Sequence, residues 1–221
     1  MSEYLIRLYK DSDYVAAREL FAHGTEEHST KFYHHLLGLK RIWLLLVAVS
    51  SLMLHFVSVT MSILAAAIAL VCTWFGAQFM YTSYVKFALS DDMLDIWKYY
   101  LQREGCCFWV AELAGEVVGT VAVLPSSYPG GEKYLELKRL SVSKRHRGKG
   151  IAKRLCRTLI DFARNRGCEA VVLNTTFVQY EAWTLYEKMG FRQTHTYYPP
   201  EILGKLLDFK ILAYQYDIPP L

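Results

Sequence analysis

The chain has 221 residues, a formal net charge of +4 and a mean hydropathy of +0.13. That length has room for one α/β core of ordinary domain size, while the hydropathy is high for a soluble enzyme and its excess sits in a single stretch. The five cysteines, an odd number with one in the apolar block, argue against a disulfide framework and suit a reducing compartment. The Cys106-Cys107 pair lacks the spacing of a zinc or redox site, so no metal is expected.

In chain order, Tyr4–Leu8 alternates like a strand, and Ser12–Ala22 reads as a helix with Ser12 as its N-cap. Glu3, Asp11 and Asp13, with no apolar run around them, do not read as a secretory signal peptide. From Ile42 to Val85 there is no Asp, Glu, Lys or Arg. A membrane span needs about 20 apolar residues, so this block is long enough for two. The expected helices are Ile42–Val59 and Ser62–Tyr81, with a turn near Phe56–Ser62. That turn has no Gly or Pro, so a shallow re-entrant hairpin and one long bent helix stand beside two full crossings. Trp43 and Tyr81/Tyr84 are expected at one membrane interface, as in an aromatic belt. Lys31, Lys40 and Arg41 precede the block and Lys86 follows it, which places both ends on the cytosolic side, with a lumenal orientation as the alternative. The expected division is 1–41, 42–85 for the hairpin, and 86–221.

Three strand-like runs follow, Cys107–Leu113, Val117–Leu124 and Tyr134–Val142, separated by turns with Gly or Pro. A basic loop then carries Gly148 and Gly150 and opens an amphipathic helix with Ile151, Leu155, Leu159 and Phe162 on one face. That helix runs to Arg166, Val171–Asn174 reads as a buried strand, and a further helix from Gln179 to Met189 stops at Gly190. Phe191–Tyr197 and Asp208–Tyr216 are the last strands. The order predicts an α/β fold with a mixed sheet. Glycines at a strand-to-helix turn let backbone N–H groups approach a ligand, and a fresh helix N-terminus adds unpaired donors and a positive dipole end. Residues Arg145 to Ala152 are thus a pyrophosphate cradle. No Gly-Lys-Ser/Thr follows at P-loop spacing, and no GxGxxG is present there.

The spacing Arg145-x-x-Gly148-x-Gly150 resembles the acetyl-CoA signature of GCN5-related N-acetyltransferases, and Ala182-x-x-Leu185-Tyr186-x-x-x-Gly190-Phe191 resembles a second element of the same superfamily. Over nearly its full length the chain is similar to the camello-like N-acetyltransferase 8 group of membrane-anchored acetyltransferases. The matches include Ile6-Arg7-x-Tyr9-x-x-Ser12-Asp13, Glu27-His28, Phe108–Glu112, His146-Arg147-x-x-Gly150–Lys153 and Leu185–Phe191. The resemblance implies a GCN5-related acetyltransferase fold interrupted after its first helix by the hydrophobic hairpin, with acetyl-CoA as donor. In that fold the first strand shares a sheet with the later ones, so both flanks of the apolar block lie on one side of the membrane.

The same resemblance assigns roles. Backbone N–H groups from Arg145 to Ala152, Gly148, Gly150 and Ile151 among them, hold the pyrophosphate, with charge from Arg147 and Lys149. The outgoing edge of the strand at Leu140 and Val142 pairs with the pantetheine arm, and the N–H near Val142 is the oxyanion donor. Tyr186 aligns with a tyrosine that protonates the leaving thiolate; the other reading is a partly buried helix tyrosine. Glu136 stands where relatives place a general base; the other reading is an exposed strand glutamate. Asn174 either orients acceptor or pantetheine or caps the following turn. The loop 126–133 and the tail 197–205 are candidate lids. Between Lys138 and Arg166, eleven lysines and arginines face one acid, Asp161. CoA, anionic lipid headgroups or solvent account for them, and no nucleic acid is expected.

The function expected is a membrane-bound N-acetyltransferase in the endoplasmic reticulum, its active site facing the cytosol. The favoured acceptor is the primary amine of a cysteine S-conjugate, with protein lysine, histones included, as the alternative. A catalytically silent acyl-CoA-binding scaffold is the reading from another class. Oligomeric state is left open.

Overall fold

Alternating apolar residues in short runs, broken by Gly and Pro, build a sheet, and one strongly amphipathic helix covers it. In the computed structural model, which describes residues 4–127, 133–199 and 202–219, the elements are as follows. Strand β1 (Leu5–Leu8) leads through a short 3-10 turn (Asp11–Asp13) into α1 (Tyr14–Glu26), α2 (His28–Gly38), α3 (Lys40–Phe56) and α4 (Val59–Ser90). A π-helical turn (Trp97–Leu101) precedes β2 (Cys107–Leu113), β3 (Glu116–Pro125) and β4 (Tyr134–Val142). Then come α5 (Ile151–Asn165), β5 (Ala170–Thr176), α6 (Tyr180–Lys188), β6 (Arg192–Tyr197), α7 (Ile202–Leu206) and β7 (Ile211–Asp217).

The chain divides into two units, residues up to Gly24 with Phe87 onward, and Thr25–Lys86. The first unit holds one seven-stranded sheet in the order β1-β2-β3-β4-β5-β7-β6. Every neighbouring pair is antiparallel except β4–β5, which is parallel. Strand β1 joins by pairing Leu5 with Glu112 and Leu8 with Trp109, as the resemblance implied. Helix α5 covers one face. Its Ile151, Leu155, Leu159 and Ala163 are buried against Trp109, Val121, Val123, Leu135, Leu137, Val171 and Leu173. On the other face, Tyr9, Phe21, Met93, Ile96 and Tyr100 are buried with Phe108 and Val110; the Tyr9 and Tyr100 rings both stand edge-on to Phe108.

The second unit is helical. Helices α3 and α4 form an antiparallel hairpin that turns at Val57-Ser58, with the Ser62 hydroxyl donating to the Ser50 carbonyl at 2.9 Å across it. The single bent helix is therefore excluded. Among the described residues, α4 alone is long and apolar enough to cross a membrane by itself, and almost none of its most apolar window is buried. Helix α3, at 17 residues, reaches about 26 Å, close to a hydrocarbon thickness of about 30 Å. Helix α2 packs along α4 through Ser29, whose hydroxyl donates to Gln78 Oε1 at 2.8 Å, and through Phe32 against Tyr81.

Three expectations change. Asp13, not Ser12, closes the start of α1: its carboxylate accepts the Lys10 N–H at 2.9 Å, and its own N–H donates to the Lys10 carbonyl. The helix itself begins at Tyr14 and runs past Ala22 to Glu26. Trp43 lines the same groove as Leu70; Tyr81 lies three turns further along α4, about 16 Å away at 1.5 Å per residue, so they do not share a level. Helix α2 lies between Ala22 and Ile42, where no element was expected. Of the two candidate lids, residues 128–132 and 200–201 lie outside the described residues.

Candidate active site

The parallel pair β4–β5 is the opening in the sheet. It holds for three positions only, Tyr134 with Ala170, Leu135 with Val171 and Glu136 with Val172. Beyond Glu136 the strands have no register with each other, while β4 stays paired to β3 up to Val142 and β5 to β7 up to Thr176. Two strands held by their outer neighbours and released from each other leave a wedge lined by unpaired backbone. That is a place for an extended ligand to add as a strand.

The wedge is shaped by a bulge. The β3–β4 register slips between Thr120 and Ala122, which puts an extra residue in β4 at Arg139–Leu140. Arg139 carries φ +56°, the left-handed region that L side chains rarely adopt. A bulge inverts the facing of everything after it. Thus Leu135 and Leu137 point to the α5 face, Glu136 and Lys138 to the other, and beyond the bulge Leu140 and Val142 return to the α5 core.

The backbone of Val142 can be oriented from its neighbour. The Ser143 N–H donates to the Val118 carbonyl at 2.9 Å, so Ser143 is a hydrogen-bonded partner of β3. Facing alternates along an antiparallel ladder, so the N–H and C=O of Val142 point away from β3, into the wedge. Its carbonyl accepts the Arg147 Nε–H at 3.1 Å. Arg147 therefore folds back onto the strand edge instead of standing over the glycines.

Downstream, Gly148 and Gly150 take φ +76° and +81°. Gly150 is the N-cap of α5, and no side chain caps that helix, so its first-turn N–H groups stay open. A Cβ on Gly148 would meet nothing within 4 Å; the space beside it is what a phosphate needs. Arg145 and Lys149 are exposed on the same loop. Uncapped donors, a dipole end and cationic side chains fit a pyrophosphate.

Glu136 is 8% exposed, which removes the reading of an exposed strand glutamate. Its Oε2 lies 3.7 Å from Lys138 Nζ on the same face. Asn174 is exposed on β5, two residues past the last β4 pair and on the same face as Glu136 by parity. In the turn before α6, Gln179 Oε1 accepts the Thr175 hydroxyl at 2.6 Å and the Thr176 N–H at 3.2 Å.

Tyr186 projects from α6 into the main core, against Phe191 and Tyr214. It is 5% exposed, and its hydroxyl has no hydrogen-bond partner among the described residues. Burial, with a smaller contribution from Cys156, holds its ionisation well above the ordinary value of 10.0. The Cys156 thiol is itself pushed up to about 12 by burial, and that of Cys107 to about 11. Neither is a thiolate that could accept an acyl group.

What sequence reasoning missed is the support for the bulge: Arg139 donates to Asp92 from Nε at 2.8 Å and from Nη2 at 2.6 Å. Its signal was the spacing of Leu137, Leu140 and Val142, three residues then two, which a plain strand does not produce.

Comparison with known proteins agrees with this geometry. The model of the acetyltransferase (GNAT) family matches residues 70–191. N-acetyltransferase 8B of Rattus norvegicus is 42% identical over 221 residues, covering 99% of each chain. The probable N-acetyltransferase camello of Xenopus tropicalis is 38% identical over 219 residues, again covering 99% of each. In fold, the chain is similar to the ribosomal-protein-alanine N-acetyltransferase from Brucella melitensis, with a TM-score of 0.60 at 18% identity over 97% of this chain and 99% of that one. The family model begins inside α4 and leaves out α1 and also β1, which the sheet nonetheless includes. The chain belongs to the acetyltransferase (GNAT) family and is an acetyl-CoA-dependent N-acetyltransferase.

Proposed function

We propose that the protein is a membrane-anchored N-acetyltransferase that transfers acetyl from acetyl-CoA to the primary amine of a cysteine S-conjugate. The observation that carries the site assignment is the wedge between β4 and β5 with the uncapped α5 N-terminus at its end. Backbone N–H groups of Gly148 to Ala152 take the pyrophosphate, with charge from Arg145, Arg147 and Lys149. The edge at Leu140 and Val142 takes the pantetheine arm, which requires Arg147 to leave the Val142 carbonyl. Asn174 faces the arm from β5.

The reaction joins the amine nitrogen to the acetyl carbonyl carbon and breaks that carbon's bond to sulfur. Glu136 receives the proton the amine must lose, directly or through a water. The Val142 N–H stabilises the charge developing on the carbonyl oxygen. Tyr186, kept protonated by its burial, donates to the departing sulfur. With the nearby thiols protonated, transfer is direct, with both substrates bound at once.

The membrane reading rests on exposure. Leu44, Leu45, Phe56, Ile63 and Phe79 are each at least 60% exposed on α3 and α4, an apolar surface that water would not tolerate in a soluble protein. The pairing of β1 with β2 in one sheet supports a hairpin with both ends in one compartment, and Lys40, Arg41 and Lys86 favour the cytosolic side, in our reading that of the endoplasmic reticulum. Lipid contact follows from the anchor.

The test is CoA release by the detergent-solubilised chain with acetyl-CoA, comparing S-benzyl-cysteine with a lysine peptide, and Gly148→Glu as control. Turnover on S-benzyl-cysteine that disappears in the control supports the assignment. Turnover on the peptide alone moves the acceptor to protein lysine. Acetyl-CoA binding with neither acceptor turned over points to a different amine or a scaffold.

A further inference from the structure

Arg139 is held at both its carbonyl and its guanidinium. Its carbonyl accepts the Thr120 hydroxyl at 2.9 Å. Its guanidinium makes the two-pronged pair with Asp92 and lies over the Phe21 ring, Cζ to centroid 4.7 Å. The Tyr100 hydroxyl donates to the same carboxylate. The two charged side chains are 7% and 4% exposed. The turn that carries Asp92 is fixed in its own right, since Arg18 Nη1 donates to the carbonyls of Leu89, at 2.9 Å, and Met93.

A buried ion pair is a poor way to add stability, because desolvation offsets most of the attraction. It is a good way to hold one geometry. The geometry in question is a left-handed residue in the middle of a strand, which an arginine does not adopt unless its surroundings demand it. If Arg139 relaxed to ordinary extended backbone, the extra residue would vanish from the ladder and the end of β4 would slip by one. A one-residue slip turns Leu140 and Val142 to the opposite face and rotates the Val142 N–H toward β3.

We propose that Asp92 is a positioning residue for acetyl transfer: through its pair with Arg139 it holds the β4 bulge that aims the Val142 N–H into the wedge. The proposal rests on reading that wedge as the transfer site. Asp92 touches no substrate; it acts through Arg139. The pyrophosphate cradle lies beyond the bulge on its own glycine loop, so Asp92 governs the rate of transfer and leaves acetyl-CoA binding nearly intact.

The experiment compares the full chain with Asp92→Asn and with two double variants, Asp92→Asn/Arg139→Gly and Asp92→Asn/Arg139→Ala. Each double variant removes both charges, so neither leaves an unpaired ion inside. Only glycine takes positive φ without steric cost. The expected result for Asp92→Asn is a fall in kcat of roughly 10²-fold, the size of losing one aimed donor, with an acetyl-CoA KM that rises far less and an acetyl-CoA thermal shift that persists through the cradle. The glycine double variant should turn over about ten times faster than the alanine one, since only it keeps the bulge. A folded Asp92→Asn protein with kcat within twofold of the parent overturns the proposal, as do glycine and alanine double variants of equal rate. Amide hydrogen exchange over residues 134–152 gives a readout that does not depend on the acceptor. Acetyl-CoA should protect both 140–142 and 148–152 in the parent, and only 148–152 in Asp92→Asn. Equal protection of 140–142 in both proteins sinks the positioning role, whereas no protection of 140–142 in the parent sinks the wedge reading itself.

Discussion

Glu136 and Val172 are the last residues at which β4 and β5 face each other. One step further the sheet parts, so Glu136 stands at the closed end of the wedge, buried, on the face away from α5. A carboxylate there can take a proton from an amine entering from that face. Glu136→Gln keeps the volume and removes the base. It is expected to lower kcat by about 10²-fold or more and to leave the acetyl-CoA KM within a factor of about three. Steady-state CoA release with varied donor reads both parameters. A parent-like kcat would remove Glu136 from the chemistry.

Gly148 tests the cradle separately from the fold. Its φ of +76° means that Gly148→Ala costs about 1 kcal/mol of backbone strain, and no protein atom lies within 4 Å of the new methyl group. The ligand-free melting temperature should therefore fall by only a few degrees. The added stabilisation by acetyl-CoA should shrink sharply, because a ligand that binds only the folded state stabilises it in proportion to its affinity. Thermal unfolding with and without acetyl-CoA makes the comparison, and an undiminished ligand shift would place the pyrophosphate elsewhere.

The order of strands and helices was legible in the sequence because alternation and 3.6-residue periodicity are local. So was the glycine turn that opens α5, since Gly148, Gly150 and the α5 stripe are contiguous. Helix α2 was missed: its buried Ser29, Phe32 and Leu36 sit among histidines and small polar residues with no capping residue ahead of them. The π-helical turn at Trp97–Leu101 has no side-chain signature, since one extra residue per turn leaves composition unchanged. The Asp92–Arg139 pair spans 47 residues, beyond the reach of any periodic argument. Only the broken alternation of β4 hinted that something had to hold a bulge.

Tyr186 separates catalysis from stability in an unusual way. Its ring is buried and its hydroxyl makes no hydrogen bond among the described residues. Removing a hydroxyl that bonds nothing in the protein does not cost the fold a partner. Tyr186→Phe should thus match or exceed the parent in thermal stability while losing roughly 10²-fold in kcat if the phenol protonates the leaving sulfur. The parent's rate should also show no alkaline fall from this group up to pH 10, because burial holds its proton beyond 10.0. Melting curves and pH–rate profiles of the two proteins settle it: full activity in the phenylalanine variant would leave Tyr186 a core residue only.

Asp13 ties the first strand to the first helix, and its effect on stability should depend on pH in a definite direction. Burial alone would raise its carboxyl, but the Arg7 guanidinium, at 2.6 and 2.9 Å, and the Lys10 N–H, at 2.9 Å, outweigh that and hold it below 3.8. Arg7 also reaches Glu112 at 2.6 Å, so the network fastens β1 to β2. The folded value is depressed relative to the unfolded one, so as pH falls the unfolded chain takes up the proton first. The contribution is then fully present above the unfolded value and is lost as pH drops through the folded one. Asp13→Asn should cost about 2–3 kcal/mol at pH 7 by leaving Arg7 short of its charge partner. The gap between variant and parent should narrow as pH falls below 3.8, through the depressed folded value. Because β1 is an edge strand, trypsin cleavage after Arg7 or Lys10 should speed up in the variant at neutral pH. A stability difference that does not narrow however far pH is lowered below 3.8 would mean that the Asp13 charge does not hold this corner of the sheet.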